Sequence, residues 1–299
     1  MAVLNYAELY QQALDQPYKA ERRFNRLYEL GNRNIRWTGA KTVQIPNITT
    51  GGMVDVDRDS IGAYTRNVDN NWETKTLEHD REFRTLVDPV DVDETNMAVT
   101  IANITSVFNT EQKIPEMDKY MASKLLAEYQ ALGGTPDTTA IDETNILEVF
   151  DGYMEQMDEA EVPEEGRILY VTPTIRKILK SASGISRDID VRQPGQSVNR
   201  IVSRLDEVEI VTVPSVRMKT AYDFTNGAEP DPTAEQINLI LVHPSAVIAP
   251  EKYDFVSLEP PSATTGGKYL YYERLYWDVF IFEQKVGGVV FNVTSNVTP

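Results

Sequence analysis

The chain has 299 residues, 41% of them hydrophobic, with no cysteine and a formal net charge of −17. That length fits one large domain or two smaller ones. The missing cysteine removes disulfides, thiolate catalysis and Cys-ligated metals together, no apolar run nears the ~18–20 residues of a membrane span, and the acidic total weighs against a nucleic-acid reader with a basic face.

The start, MAVLNYAELYQQ, lacks a basic region followed by an apolar core, so no secretory signal is expected. Residues 1–36 carry six Lys/Arg against four Asp/Glu, or +2, which leaves −19 for the remainder. A basic, aromatic arm on an acidic body either binds a neighbouring copy of that body or is an ordinary solvated helix. Leu4, Leu9, Tyr10, Leu14, Phe24, Leu27 and Tyr28, interrupted by Pro17, predict two short amphipathic helices closing at Gly31. Little nearby in sequence can bury them, so they are expected to pack on something distant or on another chain.

Lys41 to Ile48 alternates as a strand, and Thr49 to Gly52 turns. Asp55 to Asn71 is polar, and Trp72 to Asp88 alternates again. The pattern predicts a long two-stranded ribbon with a mobile tip. Isolated ribbons are marginal in water, so a projecting one implies a partner surface.

Val90 to Gly134 holds the longest helical pattern. Met97, Ile101, Ile104, Val107 and Phe108 form one stripe, with Asp91 and Glu94 spaced as a capping box. A pause is expected at Ile114-Pro115. Met117, Tyr120, Met121, Leu125 and Tyr129 then continue the stripe until Gly133-Gly134. A first helix of roughly 18 residues would span on the order of 27 Å. The stripe is expected to pack on the strands of 269–293.

GGTPDTTA (133–140) reads as a flexible link. Ile141 to Ala160 is helical by spacing, and residues 142–165 hold ten Asp/Glu and no Lys or Arg. Calcium loops need oxygens at alternating positions with a turn glycine; this spacing is that of a solvated helix face. RILYVT (167–172), EIVTV (209–213) and INLILV (237–242) read as buried strands, Thr174 to Ser181 as a helix, and 183–200 and 218–233 as loops. Together they predict an α/β module over about 141–249. After it, Tyr253 to Leu258 and Tyr269 to Phe282 read as strands, and Gly287-Gly288 turns into Val289 to Val293.

The search for chemistry assigns no catalytic, cofactor-binding or metal residue. His79 and His243 are the only histidines, neither has a second at i+3 or i+4, and no G-x-S-x-G or phosphate-loop glycine spacing occurs. Glu273 and Glu283 are a carboxylate pair that glycoside hydrolysis could use, although any acidic protein offers such pairs.

The serial order of these parts resembles the major capsid protein of tailed bacteriophages, the Johnson-type capsid fold. The resemblance is carried by DVDETNMAVTIANIT into IPEMDKYMASKL, then RILYVTPTIRKIL, then YYERLYWDVFIFEQKVGGVVF. It covers nearly the whole chain and rests on order and spacing rather than on a signature motif. It implies an α+β fold with an N-terminal arm (1–36), an extended β-ribbon loop (37–90), a peripheral domain with a spine helix (91–134), an axial domain (135–249) and peripheral β strands (250–299). The implied function is self-assembly, through hexamers and pentamers, into an icosahedral shell around double-stranded DNA without sequence-specific binding. No enzyme activity, cofactor or membrane is implied. Location would be the virion, and the host cytoplasm during assembly. Implied partners are further copies, a portal, a decoration protein in some relatives and a scaffold, expected to be separate because the chain starts directly at the arm. Some relatives crosslink an extended-loop lysine; Lys41 and Lys75 are possible lysines, and neither is assigned. The alternatives are an encapsulin-type nanocompartment shell with the same fold, or a carboxylate-dependent hydrolase.

Overall fold

The computed structural model describes residues 21–30, 36–39, 41–53, 68–94, 101–182 and 204–294. The first expected helix (before Pro17), most of the ribbon tip and the 183–200 loop lie outside them.

Helix α1 (Asn25–Leu30) ends the arm. Phe24, Leu27 and Tyr28 are buried in the same cluster as Met117, Met121 and Tyr170, with the Phe24 and Tyr170 rings 4.4 Å apart. The apolar side of α1 is thus covered by distant residues of its own chain.

Strands β1 (Arg36–Trp37), β2 (Thr42–Thr50) and β3 (Val68–Thr76) form an antiparallel sheet. The β2–β3 register runs from Thr42 opposite Thr76 to Thr50 opposite Val68, so the expected ribbon exists. Its return strand is not Trp72 to Asp88, however. The chain changes sheets at Leu77: β4 (His79–Val87) pairs with a strand near the C-terminus. The cause is local hydrogen bonding. The Leu77 amide donates to the Lys41 carbonyl at 2.8 Å, and the Glu78 amide turns away to the Asp278 carboxylate at 2.9 Å.

Helix α2 (Pro89–Glu94) starts earlier than expected. The Asp88 side chain accepts from the Val90 amide at 3.0 Å, and Pro89 occupies the first turn. Further on, α3 (Ile101–Phe108), a π segment (Asn109–Lys113) and α4 (Ile114–Ala131) run on without a break. The Ile114 amide donates to the Asn109 carbonyl, five residues back. A proline ring collides with the carbonyl four residues back in a regular helix. The wider π turn ahead of Pro115 therefore replaces the expected pause.

Met117, Tyr120, Met121, Leu125 and Tyr129 of α4 share a core with Leu275, Trp277, Val279, Ile281, Phe291 and Val293, as the stripe implied. Phe108 of α3 stacks on Phe83 of β4 at 3.8 Å, and Ile104 is half-buried.

The 133–140 segment is pinned rather than flexible. The Asp137 amide donates to Phe291 O and its carbonyl accepts from Val293 N, each at 2.8 Å. Its carboxylate accepts from the Tyr153 hydroxyl and from Asn292 Nδ2. Burial pushes the Asp137 carboxyl up, but Tyr153, Thr139 and Asn292 outweigh it and hold it below the usual range. A depressed carboxyl contributes stability above its unfolded pKa and loses it as pH falls through the folded value. Tyr153→Phe is therefore expected to lower the melting temperature and to flatten its fall in acid below about pH 4, measured by thermal melts across pH. An unchanged acid slope would remove Asp137 as its source.

Helix α5 (Ile146–Glu159) precedes β5 (Ile168–Val171) and α6 (Pro173–Ser181). Thr172 caps α6 by accepting from Ile175 N at 3.4 Å, with Pro173 next. Strands β6 (Arg204–Leu205) and β7 (Val208–Thr212) follow. β5 and β7 are parallel, joined across α6. A small hairpin, β8 (Tyr222–Asp223) and β9 (Glu229–Pro230), precedes β10 (Gln236–Val242). The rest is β11 (Val247–Ile248), β12 (Glu251–Glu259), β13 (Tyr269–Trp277), β14 (Phe280–Ile281) and β15 (Val289–Thr294).

The expected long strand Tyr269 to Phe282 is thus two, split at the buried Asp278. The α/β module also does not close at 249. Its sheet has the order β15-β10-β5-β7-β6, so the last strand of the chain completes it. Alternation then builds two cores. Ile168, Tyr170, Ile240 and Val242 face α4 and the arm. Leu169, Val171, Leu239 and Leu241 face α5 and α6.

Candidate assembly surfaces

Among the described residues, the ribbon is buried at its root. Val43, Ile45 and Leu77 are buried with Ile248, Tyr276 and Phe280. Beyond the root, Ile48 is 61%, Val68 46% and Trp72 39% exposed. Such a row on a projecting ribbon is exposed apolar surface, with the Arg36 guanidinium 5.9 Å over the Trp72 ring. The two candidate lysines sit near the root. Lys41 Nζ lies 5.6 Å over the Tyr276 ring, and Lys75 pairs with Glu73 at 2.6 Å. Burial lowers the Lys75 pKa, but Glu73 outweighs it and holds the amine charged.

Asp278 fixes the angle at which the ribbon leaves the body. It is fully buried and accepts from Glu78 N at 2.9 Å, Tyr120 Oη at 2.7 Å and Val279 N at 2.8 Å. Ribbon root, spine helix and aromatic strand thereby meet on one carboxylate.

The second surface is the sheet β12-β13-β4. Its inner side is covered near β4 by the Phe83–Phe108 stack and by the Lys113–Glu273 ion pair. On the edge strand β12, Phe255 is 42% exposed and Val256 and Leu258 are each 54% exposed. Phe255 and Val256 are consecutive, so this edge exposes apolar groups on both faces, with the Phe255 ring 6.1 Å from that of Tyr272.

The arm has a polar anchor. Asp118 of α4 is fully buried and accepts from Arg23 N at 3.1 Å and Phe24 N at 3.3 Å, at the start of α1. Arg217 donates to it at 2.9 Å, and Arg22 pairs with Glu251 at 3.1 Å.

A cleft of about 340 Å³ opens between β4, the spine helix and the β8–β9 hairpin, and Arg81, Glu116, Lys113 and Glu273 line it. Arg81 donates to Glu116 at 2.6 Å and to the Phe224 carbonyl at 2.5 Å. Burial raises the Glu116 carboxyl, but His79 and Arg81 outweigh it and hold it below the usual range. Glu273 is paired with Lys113 and accepts from Tyr271 Oη at 2.8 Å, while Glu283 stands exposed in the helical turn before β15. The two carboxylates do not share the cleft. His79, expected in a polar ribbon, is a buried ring stacked on Tyr120 at 3.8 Å and edge-on to Trp277 at 4.4 Å. His243 caps a turn: the Ser245 amide donates to its Nδ1 at 3.3 Å, and its Nε2 meets the Glu165 carbonyl at 3.1 Å. Burial lowers its pKa, which favours the neutral ring.

No family model and no curated protein matches the sequence. Solved structures do match, over nearly their whole length. The mature capsid of bacteriophage PhiM1 aligns with 97% of this chain and 92% of its own, at 13% identity and a TM-score of 0.70. A structure from Mycobacterium phage Che8 aligns over 95% and 96%, at 16% identity and 0.64. The capsid of cyanophage P-SCSP1u aligns over 96% and 92%, at 12% identity and 0.61. The chain has the phage capsid fold. The resemblance in serial order is thereby met in three dimensions, and the α+β class with it. Within this capsid fold the anchoring residues Asp118, Asp278, Asp137 and Arg81 escape a sequence reading. Each is a single charged residue with at least one partner far away in the chain. The one signal available was an acid such as Asp118 or Asp278 standing inside an apolar stretch.

Proposed function

We propose that the protein is a major capsid protein, which self-assembles into the icosahedral shell enclosing the double-stranded DNA of a tailed bacteriophage. The observation that carries this is the likeness of fold over 95–97% of the chain. The surfaces support it: a ribbon whose described residues are buried at its root and exposed beyond it, and a β edge with apolar groups on both faces, leave area for further copies to cover. Many weak contacts of this kind assemble reversibly and become firm when the shell closes. The phage likenesses favour this reading over the encapsulin-type compartment, and the separation of Glu273 from Glu283 weighs against the hydrolase. The proposal includes the division into arm (1–36), extended loop (37–90), peripheral domain (91–134 and 250–299) and axial domain (135–249), with β15 crossing into the axial sheet. A portal, a separate scaffold and a decoration protein are proposed partners, and the virion is the proposed location, reached from the host cytoplasm. Electron microscopy of the purified or co-expressed protein tests it. Hexamers, pentamers or shells are expected; a strictly monomeric species under all assembly conditions would overturn it.

A further inference from the structure

In the α/β half of the subunit, two successive stretches carry opposite charge. The ten acidic side chains of 142–165 are all exposed. Among the described residues one of them has an ion pair, Asp158 with the buried Arg167 at 2.6 Å. The next stretch, 166–182, holds four basic residues and no acidic one. Lys177 is exposed and Lys180 half-buried, and Arg204 of β6 is exposed as well. None of these three has an ion-pair partner among the described residues.

The fold carries the blocks toward opposite edges of the five-stranded sheet. Helices α5 and α6 share one face of the sheet. α5 lies at the β15 edge: Tyr153 donates to Asp137, which is bonded along β15, and Ala160 abuts Gly287 just ahead of β15. α6 lies over β5 and β7, where Arg176 donates to Thr212, and the edge strand β6 comes next. Asp206 and Glu207, in the turn from β6 to β7, are the exposed acidic exception there.

A body that is acidic at one edge and basic at the other docks head to tail, and a heterologous contact of this kind closes into rings. We propose that neighbouring copies meet through these two edges, the α5 acids of one facing Lys177, Lys180 and Arg204 of the next. The proposal rests on the shell reading and specifies a contact within it. Exposed charge pairs contribute little each, so reversal to like charges is the sensitive test.

Two triple variants are needed. One is Glu148→Lys, Asp151→Lys and Glu155→Lys; the other is Lys177→Glu, Lys180→Glu and Arg204→Glu. Thermal melts establish that each is folded, and sedimentation with electron microscopy reads assembly. Either triple alone is expected to weaken assembly about tenfold or more. All six changes in one chain should restore self-assembly but not co-assembly with the wild type. Mixing the two triples should give alternating rings, hence hexamers without pentamers. For the wild type, assembly should weaken as salt rises from ~50 to ~500 mM. Folded triples that assemble normally, a six-change chain that stays unassembled or mixes with the wild type, or salt-insensitive assembly would overturn the edge contact. If the wild type assembles while the reversals are silent, the edge contact alone fails; a monomeric wild type removes the shell reading with it.

Discussion

Replacing Asp278 with alanine is expected to lower the unfolding free energy of the subunit by about 3–5 kcal/mol. The loss follows from what would be stranded. The Glu78 and Val279 amides and the Tyr120 hydroxyl all donate to this one buried carboxylate. A buried donor left without an acceptor costs about 1–3 kcal/mol. Asp278→Asn keeps one carboxamide oxygen and should lose markedly less. Denaturant unfolding of the unassembled subunit measures both. The alanine variant should also assemble poorly, because the ribbon root at Leu77 loses the bond that fixes its exit direction. Equal stability for Asp278→Ala and wild type would show that the carboxylate does not hold the joint.

The second large effect is expected at Asp118. Asp118→Ala leaves the Arg23 and Phe24 amides without their acceptor and takes the partner from Arg217. A loss of about 2–4 kcal/mol follows, with faster proteolysis at residues 21–30 as the arm root lifts from α4. The Asn variant separates hydrogen bonding from charge. Burial raises the Asp118 carboxyl above its ordinary value, against the pull of the two amides and Arg217. A raised folded pKa gives stability that is full below the unfolded value and lost as pH rises through the folded one. Wild-type stability should therefore fall as pH rises through that window just above about pH 4. Asp118→Asn, which does not titrate, should lack this step. A step of unchanged size in the Asn variant would assign it to another group.

Both residues illustrate where sequence reading stops. The stripe of Met117, Tyr120, Met121, Leu125 and Tyr129 was legible because helical periodicity is local, and it packs on the strands it was expected to meet. Asp118 sits beside that stripe, and its partners are 94 to 99 residues away. The ribbon shows the same limit within a single strand. The odd positions 73 to 87 stay the more buried ones through the switch from β3 to β4. Alternation thus runs unbroken through a change of sheet, and only hydrogen-bond partners reveal it. Likewise Pro115 reads as a stop in sequence, whereas a π turn lets the spine continue.

What the sequence determined by itself was therefore local and serial: which segments are helical or extended, which faces are apolar, the run of acids over 142–165, and an order of parts resembling a shell protein. Only the tertiary structure decided how those parts close. It placed β15 in the five-stranded sheet, pinned 133–140 through Asp137, buried His79 among aromatic rings, and set the acidic and basic helices toward opposite edges. The physical reason is common to all four. Periodicity and composition act between near neighbours, while strand pairing and buried hydrogen bonds join residues whose separation along the chain leaves no local trace.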